Sequence, residues 1–388
     1  MLKHNPVDFA TALSAKLASR SRHVCAFLGA GSSHACGLPG VKELQKLVVT
    51  ALEAGNKDSF KHQLEGRNLE EALTRIRRIA ALVSGEEEFD GLTNTKAKAL
   101  DIAVCEAIVK ALDIEKADLE PVYQFAAWAA RANYNQPIEL FTVNYDLLLE
   151  TALDSLLVPY FDGFIGTVKA GFHTRLVEGK PGSEQEWIPA FFARLWKMHG
   201  SVNWCWQADM QIVRLGQPVS KGAAAIFPSD TKYEESRRVP FIVLQDRFRR
   251  ALHEPETLVL ISGYSFSDPH LNDMIFDAAL HRPRSEFQVF CHSDIPNLLA
   301  DRASTTPNLQ VTNGREAILG GERAEWEAPE NAPPSIWVDD QFSLGDFKIL
   351  SAYLVRTMSQ GPDSETLISL IEKAIKKDAA EGSGKKDD

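Results

Sequence analysis

The stretch His23 to Leu28 is almost wholly apolar and stops abruptly at Gly29-Ala30-Gly31-Ser32-Ser33. A strand with one wet face alternates apolar and polar residues, whereas an unbroken apolar run of this length belongs to a strand covered on both sides. The sequence therefore predicts a buried strand running into a tight turn. The same punctuation returns along the chain. Ile138 to Val143 is a second apolar run, and Asn144-Tyr145-Asp146 leads from it into a helical pattern. Leu195 to Met198 is a third, ending at His199-Gly200. Further strands are expected at Phe241–Leu244, Leu258–Ile261 and Phe287–Phe290, with helices at Asp246–His253 and Pro269–Leu280. This alternation specifies an α/β fold, a Rossmann-like, mostly parallel sheet with helices on both faces.

An amphipathic helix from Pro6 to Ala18 is expected before the first strand. Apolar spacing of three and four over Val41–Ala54, Leu69–Leu82 and Ala97–Leu112, interrupted by acidic Ser84 to Thr95, predicts a mostly helical module. That module, residues 41–132, is inserted in a main domain of residues 1–312. Residues 160–193, rich in Gly, Phe and mixed charge, read as long loops. Residues 313–335 read as a surface excursion before helices at Phe347–Thr357 and Glu365–Lys376, so residues 313–380 form a partly helical C-terminal extension. The closing EGSGKKDD, residues 381–388, reads as a disordered tail.

With 388 residues, 44% of them hydrophobic, the chain can bury a sizeable core. Its 53 acidic against 42 basic residues give a net charge of -11, which opposes sequence-independent binding to a phosphate backbone. Direct nucleic-acid binding is not expected. Cysteines 25, 36, 105, 205 and 291 form no C-x2-C pair, so free thiols in a reducing compartment are expected and zinc is not. The N-terminal stretch lacks the apolar core of a signal peptide, and no apolar run has membrane length, so a cytoplasmic protein without a membrane span is expected.

In an open parallel sheet, ligands bind outside the carboxyl ends of the strands, where a glycine turn lets backbone N–H groups approach a pyrophosphate. Gly29, Ala30, Gly31 and Ser32 occupy such a turn. The hydride-enzyme fingerprint G-x-G-x-x-G is incomplete, because His34 stands at its third glycine, and a turn that serves packing alone remains open. Three other polar stretches are placed at strand ends: Thr142 to Asp146, Lys197 to Trp204, and Gly263 to Pro269. Polar groups converging there share one crevice.

Together these stretches resemble the sirtuin superfamily, whose ordered signature is G-A-G-x-S, a nearby G-[IL]-P, T-x-N-x-D, an H-G pair and a late G-[TY]-S. Here they read Gly29-Ala30-Gly31-Ser32-Ser33, Gly37-Leu38-Pro39, Thr142 to Asp146, His199-Gly200 and Gly263-Tyr264-Ser265. The resemblance spans about residues 23 to 312. It departs from the protein deacylases of the superfamily, which carry a zinc ribbon with two C-x2-C pairs and D-F-R where this chain has Gly40-Val41-Lys42. The T-V-N-Y-D, K-M-H-G-S-V-N-W and G-Y-S-F-S-D-P-H variants are similar to bacterial sirtuin-like proteins of antiphage defence that hydrolyse NAD.

The resemblance implies that NAD is the substrate and that Asn144 and His199 are catalytic. His199 is the candidate general base, because an imidazole titrates near neutrality. Both residues have plainer readings, Asn144 as a turn-capping residue and His199 as a structural histidine. Asp146 is expected at the nicotinamide carboxamide or, equally, as an anion in the first turn of the next helix. Ser265 is expected near the phosphates or ribose, with Gly263 leaving room for them, and Cys291 and His292 near the adenine. Asp268 reads as a cap for the helix that follows it. The helical module is expected to roof the crevice. Its Arg75, Arg77 and Arg78 read either as an anion path or as a solvated helix face.

The function this implies is an NAD glycohydrolase producing ADP-ribose and nicotinamide. An NAD-dependent protein deacylase and a non-catalytic module sensing NAD or ADP-ribose are the alternatives. An unrestrained NADase would kill its host, so control through a homo-oligomer and a separately encoded partner is expected. The resemblance points to a HerA-type ATPase for that partner.

Overall fold

The computed structural model describes residues 3–131, 134–179, 188, 189, 191–207, 211–219, 224–226, 239–330 and 333–357. Its main sheet has ten strands: β1 (Lys3–His4), β2 (Val24–Leu28), β3 (Glu139–Thr142), β4 (Tyr160–Phe161), β5 (Ala193–Lys197), β6 (Leu258–Ser262), β7 (Glu286–Phe290), β8 (Leu309–Thr312), β9 (Glu316–Leu319) and β10 (Glu322–Trp326). Their spatial order is β1-β10-β9-β8-β7-β6-β2-β3-β5-β4. From β8 to β4 every pairing is parallel. The crossovers put helices on both faces.

The unbroken apolar run of β2 is explained by the two cores it feeds. Val24, Ala26 and Leu28 enter a cluster with Leu13 of α1 (Pro6–Leu17). Cys25 and Phe27 point the other way, toward the cluster that later receives Phe248 and Ile275. Successive strand side chains face opposite sides, so both must be apolar when both sides are covered. The glycine stretch is not a bare turn. Gly29 is the N-cap of a short helix, α2 (Ala30–His34).

Four helices, α3 (Val41–Ala51), α4 (Ala54–Leu64), α5 (Leu69–Leu82) and α6 (Asn94–Ala111), pack around an apolar core of their own. Asn68 starts α5 with a complete capping box to Glu71. The acidic interruption holds a small hairpin, Glu88–Phe89 with Leu92–Thr93. The next helix, α7 (Glu120–Arg131), joins the main core through Val122, Tyr123, Phe125 and Trp128. It packs beside α8 (Leu148–Ser155).

Residues expected as long loops over 160–193 instead include β4, a short helix α9 (Thr174–Glu178), and two strands of a second sheet, Phe164–Ile165 and Lys169–Phe172. That sheet is five-stranded and antiparallel, continuing through Ile212–Leu215, Gly200–Trp206 and Ala224–Ile226. The strand expected at Phe241–Leu244 is the first turn of α10 (Phe241–His253). There Phe241, Leu244, Phe248 and Leu252 are buried at helical spacing, and a four-residue apolar run cannot by itself tell helix from strand. Helices α11 (Pro269–His281) and α12 (Asn297–Thr305) follow β6 and β7 on the same face.

Residues 313–335 differ from the expected surface excursion. Gly320 and Gly321, both at positive φ, make a two-residue turn that pairs β9 with β10 and extends the main sheet. Strand β1 then closes that edge beside β10. The last described helix, α13 (Phe347–Thr357), buries Phe347, Leu350 and Leu354 against the α7 side of the core. The helix expected at 365–376 and the tail at 381–388 lie outside the described residues. No described helix is long and apolar enough to cross a membrane.

Candidate active site

The carboxyl ends of β2, β3, β5 and β6 bring the polar stretches to one edge of the sheet. Register fixes the first relation. Thr142 is paired with Lys197 on neighbouring strands, so Asn144 and His199 each lie two residues beyond a matched pair. The loop after β2 is locked to the loop after β6 by backbone alone. Gly29 N–H donates to Ser262 O at 3.0 Å, and Gly31 N–H to Gly263 O at 2.9 Å. A Cβ on Gly31 would meet Gly263 Cα at 2.7 Å, and one on Gly263 would strike Ser32 N. Gly263 also has φ +66°, so glycine is required there twice over. Its room is taken by the Gly31–Ser32 backbone rather than left for a ligand.

Asn144 is turned into this junction. Its Nδ2 lies 3.0 Å from Gly29 O, 3.0 Å from Ser32 Oγ and 2.8 Å from Ser33 Oγ. Its own N–H donates to Thr142 Oγ1 at 3.0 Å. With the amide hydrogens directed inward, Oδ1 is the atom left to accept a hydrogen bond from outside the junction. Asp146, 6% exposed, accepts from Ser33 Oγ at 2.6 Å and from Leu148 N at 3.1 Å. Its place is the turn just before α8 rather than the first turn of that helix, beside the Asn144 junction.

Behind these groups lies Lys197, 3% exposed, whose Nζ donates to Asp146 O and pairs with Glu150 Oε1 at 3.0 Å. Burial pushes the Glu150 carboxyl up, and Lys197 opposes that rise. Ser33, Thr142, Asn144, Asp146, Glu150 and Lys197 line a narrow crevice with about 10 Å³ of free space, room for roughly one water. Ser33, Lys197 and Glu150 were not singled out in the sequence. Ser33 and Lys197 stood inside the motif stretches, whereas Glu150 sat in an ordinary helical pattern with nothing to mark it.

His199 is 9% exposed and occupies the turn between β5 and the small sheet. Its Nε2 lies 3.5 Å from Asp268 Oδ2. Asp268 does cap α11, as expected, through Oδ1 to the N–H groups of His270 (2.9 Å) and Leu271 (3.4 Å). Burial raises the Asp268 carboxyl, but His199 and those two N–H groups outweigh it and hold the group below its usual range. Its loop is braced by Asn272, which donates to Phe266 O at 2.8 Å and accepts from Tyr264 OH at 2.9 Å. The brace holds Phe266 at φ +55°.

Ser265 is exposed in this loop, its Oγ 2.9 Å from Ser267 Oγ. Cys291 and His292 leave β7, on the side of β6 away from Asn144, and stand apart from the Asn144 cluster. Cys291 is half-buried, and burial pushes its thiol up to about 12; His292 is exposed. Tyr145 joins the site to the helical module, donating to Glu70 Oε1 of α5 at 2.9 Å. Arg75 and Arg77 do not line one path: Arg75 pairs with Asp90 in the turn of the module's own hairpin, and Arg77 pairs with Asp101 between α5 and α6. All five cysteines are free. Among the described residues, His23, Cys25 and Glu139 come close enough to hold a metal, but Glu139 already accepts from Arg247, Trp196 and His23.

Residues 138–305 match the family model described as a SIR2-like domain. This stretch, less than half of the chain, is what likens the protein to the sirtuin-like superfamily. It contains Asn144, Asp146, His199, Gly263, Ser265, Asp268, Cys291 and His292, while Gly29–Ser33 lies before it and is joined to it by the backbone bonds above. Among curated proteins no match is found.

Proposed function

We propose that the chain, through its SIR2-like domain, is an NAD glycohydrolase that cleaves NAD to ADP-ribose and nicotinamide. The observation that carries this reading is the inward-turned Asn144 amide, held by Gly29, Ser32 and Ser33 one strand away from His199. Such a site has little covalent work to do. Nicotinamide is already a cationic leaving group: the C1′–N bond breaks, its electron pair neutralises the pyridinium, and the ribose carbon is left oxocarbenium-like. Water adds to that carbon and gives up a proton.

In this reading Asn144 Oδ1 orients the ribose hydroxyls or the attacking water, and His199 takes the proton. Ser33, Asp146 and Lys197 hold Asn144 and its turn in place. The superfamily resemblance adds antiphage NAD depletion, restrained by self-association and by a separately encoded partner such as a HerA-type ATPase.

Full-length protein incubated with NAD should release nicotinamide and ADP-ribose. Asn144→Ala should lower turnover by about 10²–10³-fold, the scale of losing one preorganised polar group at a reacting centre. Wild-type turnover in both Asn144→Ala and His199→Ala would overturn the reading. Nicotinamide release only in the presence of an acetylated peptide would move it to a deacylase.

A further inference from the structure

The pair His199–Asp268 crosses the sheet. His199 follows β5 and Asp268 follows the β6 loop, and β2 and β3 lie between those strands. At about 4.8 Å per strand the strand ends are roughly 14 Å apart, yet the side chains meet at 3.5 Å over the carboxyl ends of β2 and β3. Those are the strands that carry Gly29 and Asn144. The two oxygens of Asp268 also divide their work, Oδ1 capping α11 and Oδ2 facing His199. A cap needs only one oxygen, and Ser, Thr or Asn would supply it equally well. The second contact is what a carboxylate adds.

We propose that Asp268 is a positioning residue for His199: it holds the imidazole as the Nε2–H tautomer, fixes the ring across the crevice, and leaves Nδ1 as the basic nitrogen. A neutral imidazole carries one proton, and the acceptor facing one nitrogen decides which nitrogen keeps it. Asp268 Oδ2 can only accept, so it selects Nε2–H. This assignment rests on the NAD reading for the use of that base, and on the geometry alone for the tautomer.

Asp268→Asn separates the two tasks. Asn retains the cap through its oxygen, but it can turn an N–H toward Nε2 and so shift the ring proton to Nδ1. The full-length chain, 15N-labelled at histidine, would be observed by NMR at a pH where the ring is neutral, with His199 assigned by the signal lost in His199→Gln. The protonated nitrogen is expected to be Nε2 in the wild type and Nδ1 in Asp268→Asn. In parallel, nicotinamide release should fall by roughly 10–10²-fold in kcat, with KM little changed and melting temperature retained. Asp268→Ser, which caps but is too short to reach His199, should show the same kcat loss. An unchanged tautomer in Asp268→Asn, or wild-type kcat in both variants, would overturn the assignment. A wild-type chain that does not cleave NAD would overturn the NAD reading, while the tautomer measurement still decides the role of Asp268.

Discussion

At the residue scale the glycines show how sequence and structure divide the information. The pattern Gly29-Ala30-Gly31 marks a loop of close backbone approach, because few other residues let backbone come that near. The approaching partner was not legible: Gly263 is 232 positions from Gly31 (263 − 31), and only register brings Gly263 O onto Gly31 N. Gly263→Ala should therefore act on stability before it acts on ligand. It forces a Cβ against Ser32 N and Gly31 C at φ +66°, a clash with backbone that cannot rotate away. A loss of about 1–3 kcal/mol in denaturant unfolding is expected. An unchanged midpoint would show that the two loops are not interlocked. Asn144 follows the same logic. Its type and spacing were readable, but the direction of its amide was not, since three acceptors from a distant stretch set it.

At the element scale, apolar runs that end in a polar or glycine turn, such as those before Gly29, Asn144 and His199, are strands covered on both faces, whereas a run without that punctuation goes either way. Phe241–Leu244 is the start of α10, and the Gly320-Gly321 pair, a hairpin signal, is hidden inside a charged stretch. The opposite end of the sheet carries a polar network that the sequence hid entirely. Glu139, 0% exposed, accepts from Arg247 Nε at 2.7 Å and Nη2 at 2.6 Å, from Trp196 Nε1 at 2.8 Å, and from His23 Nε2 at 3.0 Å. It ties β2, β3, β5 and α10 together. Burial alone would push the His23 ring down, but Cys25 and Glu139 reverse this and raise it to about 10. Burial likewise raises the Glu139 carboxyl, and Arg247 and His23 bring it far below its usual range.

Removing this anion leaves two buried cations unpaired, so Glu139→Gln should cost about 3–5 kcal/mol in denaturant unfolding. The pH dependence has a definite sign. A raised histidine contributes fully below its unfolded value of 6.5 and loses that contribution as pH rises through about 10. The melting temperature should therefore fall between pH 7 and pH 10 by more in the wild type than in His23→Gln. Parallel curves for the two proteins would contradict the buried, charged ring.

At the scale of the whole molecule, the α/β architecture was legible from periodicity, and the convergence of polar loops followed from the rule that ligand sites lie at the carboxyl ends of parallel strands. The second sheet was not, because its strands come from 164–172 and 200–226 and have no continuous pattern of their own. It matters to the site: His199 sits where the chain passes from one sheet to the other, and Val202 and Tyr145 carry the helical module's core onto the crevice. The central claim is that loops from β2, β3, β5 and β6 make one NAD-cleaving crevice. A structure of the full-length Asn144→Ala chain soaked with NAD tests it most directly. The dinucleotide is expected with its nicotinamide ribose between position 144 and His199, against Gly29–Ser33. Density for NAD at any other surface, with this crevice empty at saturating ligand, would contradict the account.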